Sequence, residues 1–350
     1  MPIAFEPIHD TMTLIRAGKK EEIPFEIRTD PLTGATGRIL NLPYQPPQSP
    51  NAEETFKRSE GIFCPFCPEH IETSTPRFPE ELIPGGKIQI GSATLLPNVL
   101  PLDRYVGLAV FSSQHFVRME ELTSELMRDA FLAVQEFIRR VAEVDRRANC
   151  FSINWNYMPP AGSSLVHPHL QVICGERPMN HMRLQLEGAN RYYRENGSEF
   201  WDDFIREEKE RGSRYIGEIG PTFWTVGYVP IGHIPDVWCI FPQQKSLLGV
   251  GEDALDGFLE GLSAILAYYQ TLKLFSFNLS IYSFGSEERF RVNARILPRL
   301  FLRDIGNSDY TFLQSLHGES TCVYMPESVC RQIRERGFGT SIPIHGDRIS

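Results

Sequence analysis

No stretch of this 350-residue chain approaches the ~18 consecutive apolar residues of a membrane helix, so no helical membrane span is expected. Met1 to Leu14 contain no basic segment followed by an apolar run, so no secretory signal is expected either. Cysteine is scarce. Seven residues, an odd number and mostly scattered, exclude a disulfide scaffold and fit a reducing, cytoplasmic setting. Positive charge is also in deficit: 35 Lys and Arg face 44 Asp and Glu, leaving −9. That balance argues against nucleic acid as the main partner, although a nucleotide needs only a local positive patch. What is present is ordinary for a globular protein, with 41% apolar and 23% charged residues. The length suffices for one large domain or two of common size.

Residues 1 to 60 are rich in Pro, Gly and polar side chains. Tyr44-Gln45-Pro46-Pro47-Gln48-Ser49-Pro50 can be neither a regular helix nor a central strand. The region is expected to be an extended arm or wrapping loop, with a partly disordered leader as the alternative. Beyond it the chain repeats an order of elements. Ala93 to Pro97 and Val106 to Phe111 have strand character. A helical period follows over Glu120 to Ala148, and Cys150 to Tyr157 and Val166 to Cys174 are strands again. The same order recurs in Thr222 to Val229, Val237 to Phe241, a helix marked by Leu255, Phe258, Leu259, Leu262, Ile265, Leu266 and Tyr269, then Phe277 to Phe284 and Phe290 to Leu297. Strand-strand-helix-strand-strand, twice, predicts two related α+β halves. A charged helical connector, about Pro178 to Arg211, lies between them.

The densest chemistry is His167-Pro168-His169-Leu170-Gln171. On an extended strand, residues i, i+2 and i+4 share a face, so His167, His169 and Gln171 can line one wall. The small-residue turn Pro159-Pro160-Ala161-Gly162-Ser163-Ser164 precedes them and leaves room for a ligand. Imidazoles beside an amide and hydroxyls suit a phosphoryl group. Cys64-Pro65-Phe66-Cys67 is a C-x-x-C knuckle, which can hold a tetrahedral ion, form a redox pair or arise by chance. The redox reading needs a helix starting at Cys64, which Pro65 and Pro68 support only weakly. A closed zinc site needs two more ligands, for which His70, His115 and His167 are candidates. Arg291-Val292-Asn293-Ala294-Arg295 falls where the second half should carry its counterpart of the histidine motif, and its histidines are absent.

The whole set resembles the galactose-1-phosphate uridylyltransferase family of the histidine-triad superfamily. The shared features are the knuckle, the Pro97-Asn98 turn, the strand running to His115, the Asn154 and Asn156 strand, and Gly162 to Gln171, over roughly residues 60 to 300. The resemblance implies an α+β fold of two tandem histidine-triad-like halves, each an antiparallel sheet with a packed helix, joined in one extended sheet. The implied division is 1–60 arm, 61–178 catalytic half, 179–212 connector and 213–350 degenerate half with tail. It implies one structural zinc on Cys64, Cys67, His115 and His167. His169 would be the nucleophile that forms a nucleotidyl-histidine, and Gln171 would bind the phosphoryl oxygens. Gly162, Ser163 and Ser164 would hold phosphate or sugar phosphate, and Asn98, Asn154 and Asn156 would contact the nucleotide. Partners would be a nucleotide sugar and a hexose 1-phosphate, with a homodimer as the assembly.

Some family members have a second metal on second-half histidines. Arg291, Asn293 and Arg295 stand at those positions here, so no second metal is expected. Arg291 and Arg295, either side of Asn293, could bind a phosphate directly or form an ion-paired strand face. Three functions remain open. One is transfer of a nucleoside monophosphate, UMP foremost, from a nucleotide sugar to a hexose 1-phosphate. Another is phosphorolysis or hydrolysis on the same histidine, as in ADP-glucose or dinucleoside tetraphosphate phosphorylases. The third is nucleotide binding without catalysis.

Overall fold

The computed structural model describes residues 3–42, 52–300 and 308–339. The proline-rich Tyr44 to Pro50 lies outside them. The remainder of the first 60 residues supplies β1 (Ile8–Arg16), β2 (Lys19–Thr29) and β3 (Thr36–Ile39). These join β14 (Ser320–Cys322) in a four-stranded sheet ordered β1-β2-β3-β14. The β1–β2 turn is Ala17-Gly18, both at positive φ (50° and 77°), the backbone that a two-residue hairpin demands.

The main sheet has ten strands. Its first-half members are β4 (Ile88–Ile90), β5 (Ala93–Pro97), β6 (Tyr105–Val110), β7 (Cys150–Tyr157) and β8 (His169–Gly175). The second half adds β9 (Tyr215–Ile219), β10 (Thr222–Val226), β11 (Val237–Ile240), β12 (Phe277–Phe284) and β13 (Asn293–Pro298). The spatial order is β4-β5-β6-β8-β7-β12-β13-β11-β10-β9. Each half thus contributes a five-stranded unit of the same internal order, and the two meet at the antiparallel β7–β12 pair. That seam runs from Phe277 opposite Tyr157 to Phe284 opposite Cys150. The fold is α+β with antiparallel strands throughout this sheet.

Helices α1 (Ser124–Val144), α2 (Asn180–Asn196), α3 (Phe200–Arg211) and α4 (Glu252–Thr271) complete the positions that matter. Helix α1 is shorter than its periodicity predicts. Thr123 caps it by accepting from the Leu126 amide, and Asp145 is already extended. Helices α1 and α4 pack side by side on one face of the sheet, with Phe131 and Phe258 in edge contact at 5.6 Å. Glycine is required at 261, because a Cβ there would meet the Trp224 ring of β10 at 2.2 Å. Alternate residues of β7, β8, β12 and β13 (Ile153, Val172, Ile281, Ala294) enter this core. Their neighbours point to the opposite face, and that face is polar.

Candidate metal centre and active site

The polar face is built by register. Gln171 lies opposite Asn154, Asn154 opposite Ser280, and Ser280 opposite Arg295, so four polar side chains form one row across both halves. His169 and Asn156 stand two residues along on β8 and β7, on the same face.

Strand β8 begins at His169, three residues later than the sequence pattern predicts. Pro168 has no N–H for the ladder, and its carbonyl accepts the Phe111 amide (3.1 Å) as the last link to the β6 edge. His167 therefore lies outside the strand and does not share its face by strand alternation. Its ring turns to the knuckle instead. Nε2 of His167 is 2.9 Å from the Ser112 carbonyl, which can only accept, so Nε2 carries the hydrogen. That leaves the Nδ1 lone pair free. It points at Cys64 Sγ (3.6 Å) and Cys67 Sγ (3.9 Å). His115 Nδ1 sits 3.3 Å from Cys67 Sγ.

One donor atom from each of Cys64, Cys67, His115 and His167 lies within 4.8 Å of the others, a set that can hold a metal ion. Cys64 and His167 are buried. Burial first, and then the adjacent Cys64, push the Cys67 thiol up to about 11, so a metal ion binding here would have to displace that proton. The donor set of two thiols and two imidazoles matches tetrahedral soft-metal coordination. His70 is not in the cluster; its ring packs on Phe63 at 4.8 Å. No helix starts at Cys64, where a redox pair would need one: the knuckle is a turn closed by the Cys67 amide donating to the Cys64 carbonyl.

His169 is set by the same logic. Its Nδ1 lies 2.8 Å from the His167 carbonyl and must carry the hydrogen, which leaves Nε2 as an unprotonated nitrogen. Burial lowers its pKa from the ordinary histidine value, so the ring is held neutral. Phe66, from the middle of the knuckle, packs on this ring at 5.3 Å and on His167 at 6.0 Å. The knuckle thus buttresses His169. Motif reading did not single out Phe66, although it stands between the two cysteines.

The remaining predicted residues divide. Gly162 is exposed in the left-handed region (φ 87°), with nothing within 4 Å of where a Cβ would project. Ser163 donates to the Leu165 carbonyl (2.6 Å), and Ser164 is exposed. Asn98 accepts the Leu100 amide (3.0 Å), while its buried Nδ2 has no hydrogen-bond partner among the described residues. Asn154 accepts from the Ser280 hydroxyl (2.9 Å), and Asn156 accepts from Asn278 Nδ2 (2.7 Å). Asn278 also donates to the Ala161 carbonyl (2.9 Å), and it accepts from Arg299 (2.7 Å), which is itself held by Asp309. Second-half residues therefore fix the first-half asparagines and the Gly162 turn. The signal for them was legible: Asn278, Ser280 and Tyr282 alternate along β12 as Ser152, Asn154 and Asn156 do along β7.

Arg291 and Arg295 do not form the phosphate-binding pair that their spacing suggests. Strand β13 starts at Asn293, so Arg291 is outside it and donates to the carbonyls of Pro242, Glu288 and Phe290. Arg295 is buried over the Trp238 ring at 3.8 Å, between Asp236 (3.4 Å) and Asp30 (3.8 Å). The ion-paired alternative describes it. Asn293 exchanges hydrogen bonds with Gln185 (3.1 and 3.2 Å). A cavity of about 390 Å³ on this face lies at the Arg295 end of the row, lined by Asp30, His181, Arg295, Arg299 and Asp309. Its acids and bases face one another, although Nε and Nη1 of Arg295 have no hydrogen-bond partner among the described residues, whereas an imidazole nitrogen with a free lone pair is at the His169 end.

No family model matches the chain. An uncharacterized protein of Archaeoglobus fulgidus is 32% identical over 325 residues, covering 92% of this chain and 95% of that protein. Among solved structures, a GalT-like protein of Arabidopsis thaliana superposes with a TM-score of 0.67 at 16% identity, over 89% of this chain and 98% of that one. An ADP-glucose phosphorylase of Arabidopsis thaliana with bound ADP-glucose gives 0.66 at 16% identity, over 89% and 99%. A uridylyltransferase gives 0.64 at 19% identity, over 88% and 97%. These likenesses are of fold.

Proposed function

We propose that this chain, which belongs to one family with the Archaeoglobus fulgidus protein and has the fold of the uridylyltransferase, is a nucleotidyltransferase acting through a covalent nucleotidyl-histidine. The observation that carries the reading is the fixed tautomer of His169. Its Nδ1–H is committed to the His167 carbonyl, so Nε2 is left with its lone pair and no proton to lose. Attack of Nε2 on the α-phosphorus of a nucleotide sugar would form the N–P bond as the sugar phosphate leaves. An acceptor phosphate oxygen would then displace the histidine and restore the free ring.

Gln171, one step along the same strand face, is placed to hydrogen-bond the phosphoryl oxygens as charge shifts. The open Gly162 turn, with Ser163 and Ser164, would receive the phosphate-bearing acceptor. The unpaired Asn98 amide is a donor for the nucleotide, and Asn154 and Asn156 would line its path. Arg291 and Arg295 have no part in this reading. Cys64, Cys67, His115 and His167 would hold zinc. Zinc supplies rigidity here, fixing the loop that carries Phe66 and the segment whose carbonyl orients His169.

UMP is the group foremost in this reading, moved from a nucleotide sugar to a hexose 1-phosphate. The second reading, phosphorolysis of a nucleotide sugar such as ADP-glucose, is favoured by the likeness to the ADP-glucose phosphorylase. The two share the covalent step and differ in the acceptor. Intact-protein mass spectrometry after incubation with UDP-glucose, UDP-galactose or ADP-glucose tests both. A uridylyl or adenylyl mass, absent in His169→Ala, is the expected result and names the base. No adduct with any donor would overturn the covalent reading.

A further inference from the structure

The two asparagines that β7 places on the polar face are fixed to different degrees. Asn154 lies between two hydroxyls: its Oδ1 accepts from Ser280 (2.9 Å) and its Nδ2 donates to Ser152 (3.0 Å). A hydroxyl can donate or accept, so neither partner dictates which end of the amide it meets. Both ends of Asn154 are also occupied. Asn156 differs on both counts. Its Oδ1 accepts from Asn278 Nδ2 (2.7 Å), its Nδ2 donates to no protein group among the described residues, and the side chain is half-buried.

The polarity of Asn156 is dictated from the neighbouring strand. Asn278 lies opposite it in the β7–β12 register. The Oδ1 of Asn278 accepts from Arg299 Nη1 (2.7 Å), and its Nδ2 donates to the Ala161 carbonyl (2.9 Å) as well as to Asn156. A guanidinium can only donate and a carbonyl can only accept, so the amide of Asn278 cannot turn over. Arg299 is itself held. Its Nε and Nη2 reach Asp309 at 2.9 and 2.6 Å, and its backbone amide donates to the Ser276 carbonyl (2.9 Å). Asn156 must therefore present Oδ1 to Asn278 and carry its N–H donors on the side away from it.

We propose that Asn278 is a positioning residue that makes Asn156 a donor, so that this point of the site takes an acceptor oxygen of a nucleotide sugar and rejects an N–H. The inference rests on the nucleotide path placed along Asn156 in the reading above. Asn278 has no N–H left for the ligand, so its influence passes through Asn156.

Titration calorimetry with UDP-glucose and ADP-glucose tests it, on the full chain carrying His169→Ala so that a bound donor does not react. Asn278→Asp keeps the bond from Arg299 but offers Asn156 only an acceptor. Asn156 should then turn over and set its carbonyl against the ligand oxygen, raising the dissociation constant at least about 10-fold. Asn278→Ala releases Asn156 to take either orientation and should raise it about 2-fold. That order is the signature, because loss of packing alone would make the truncation worse than the near-isosteric change. In an Asn156→Ala background, Asn278→Asp should add nothing. Misfolding would lower the number of sites per chain rather than their affinity. Equal or reversed effects of Asp and Ala, or a loss that adds to that of Asn156→Ala, would overturn the positioning role and leave the covalent reading standing. The expected order, found while wild type forms no adduct, would support the positioning role and sink the covalent reading alone. If neither donor bound and wild type formed no adduct, both would fall together.

Discussion

The two halves of the main sheet place the same elements in the same order, yet they treat their polar atoms oppositely. His169 opens β8, and Asn293 opens β13 at the matching position. Both lie on the polar face, away from helices α1 and α4. In the first half the hydrogen bonds stop one short. The His169 ring is pinned through Nδ1 and keeps Nε2 unprotonated, and two imidazole and two thiol donors converge in a set that can hold a metal ion. In the second half the matching strand start is closed, although Nε and Nη1 of Arg295 further along have no hydrogen-bond partner among the described residues. Asn293 exchanges two hydrogen bonds with Gln185, and Arg295 sits between Asp30 and Asp236 on a tryptophan face. A shared scaffold therefore does not carry the chemistry. Unspent donor and acceptor capacity does, and only one half retains it at its strand start.

That contrast can be broken most severely at His169. His169→Ala should abolish the nucleotidyl adduct and cut turnover by roughly 10³-fold or more, with an unchanged circular dichroism spectrum. Substantial residual turnover would remove it from the nucleophile role. Cys64→Ser should follow. Loss of metal should cost on the order of 4–5 kcal/mol and lower Tm by on the order of 10 °C, read by metal analysis and calorimetry together. If neither changed, the knuckle would not be a metal site. In the second half, Arg295→Met should destabilise by about 3–5 kcal/mol, because Asp236 and Asp30 are left buried without their cation. Adduct formation per folded molecule should persist, since the proposed reaction gives Arg295 no role. The smallest effect is the sharpest test of the contrast. Asn293→His restores a histidine at the matching position and should cost about 1–2 kcal/mol through the lost Gln185 pair. Mass spectrometry should still find a single adduct per chain.

Much of this was legible in the sequence. The strand-helix order, the α+β class and the C-x-x-C knuckle follow from periodicity and spacing, because Ile153, Val172 and Ile281 alternate with polar neighbours on strands buried on one side. Strand ends were less legible. Pro168 delays β8 to His169, and the Arg291 side chain is drawn to three carbonyls before β13 begins. Partner identity was not legible at all. That Ser280 holds Asn154, or that Asp236 and Asp30 meet Arg295, depends on contacts over long separations that no local pattern encodes. The Phe66 contact to His169 is of the same kind.

The β7–β12 seam also sets an order of events during synthesis. Ser280 lies 126 residues after its partner Asn154. At ~5–20 residues per second, roughly 6–25 s pass between the emergence of the two. Until β12 is made, β8 is the one partner strand available to β7 among those it pairs with in the folded chain, and its other edge has no strand to cover it. The half that carries the His169 nitrogen is thus the half that waits. A chain cut before Phe277 would lack the strand that covers that edge, so the first half depends on the second for the cover of its own sheet.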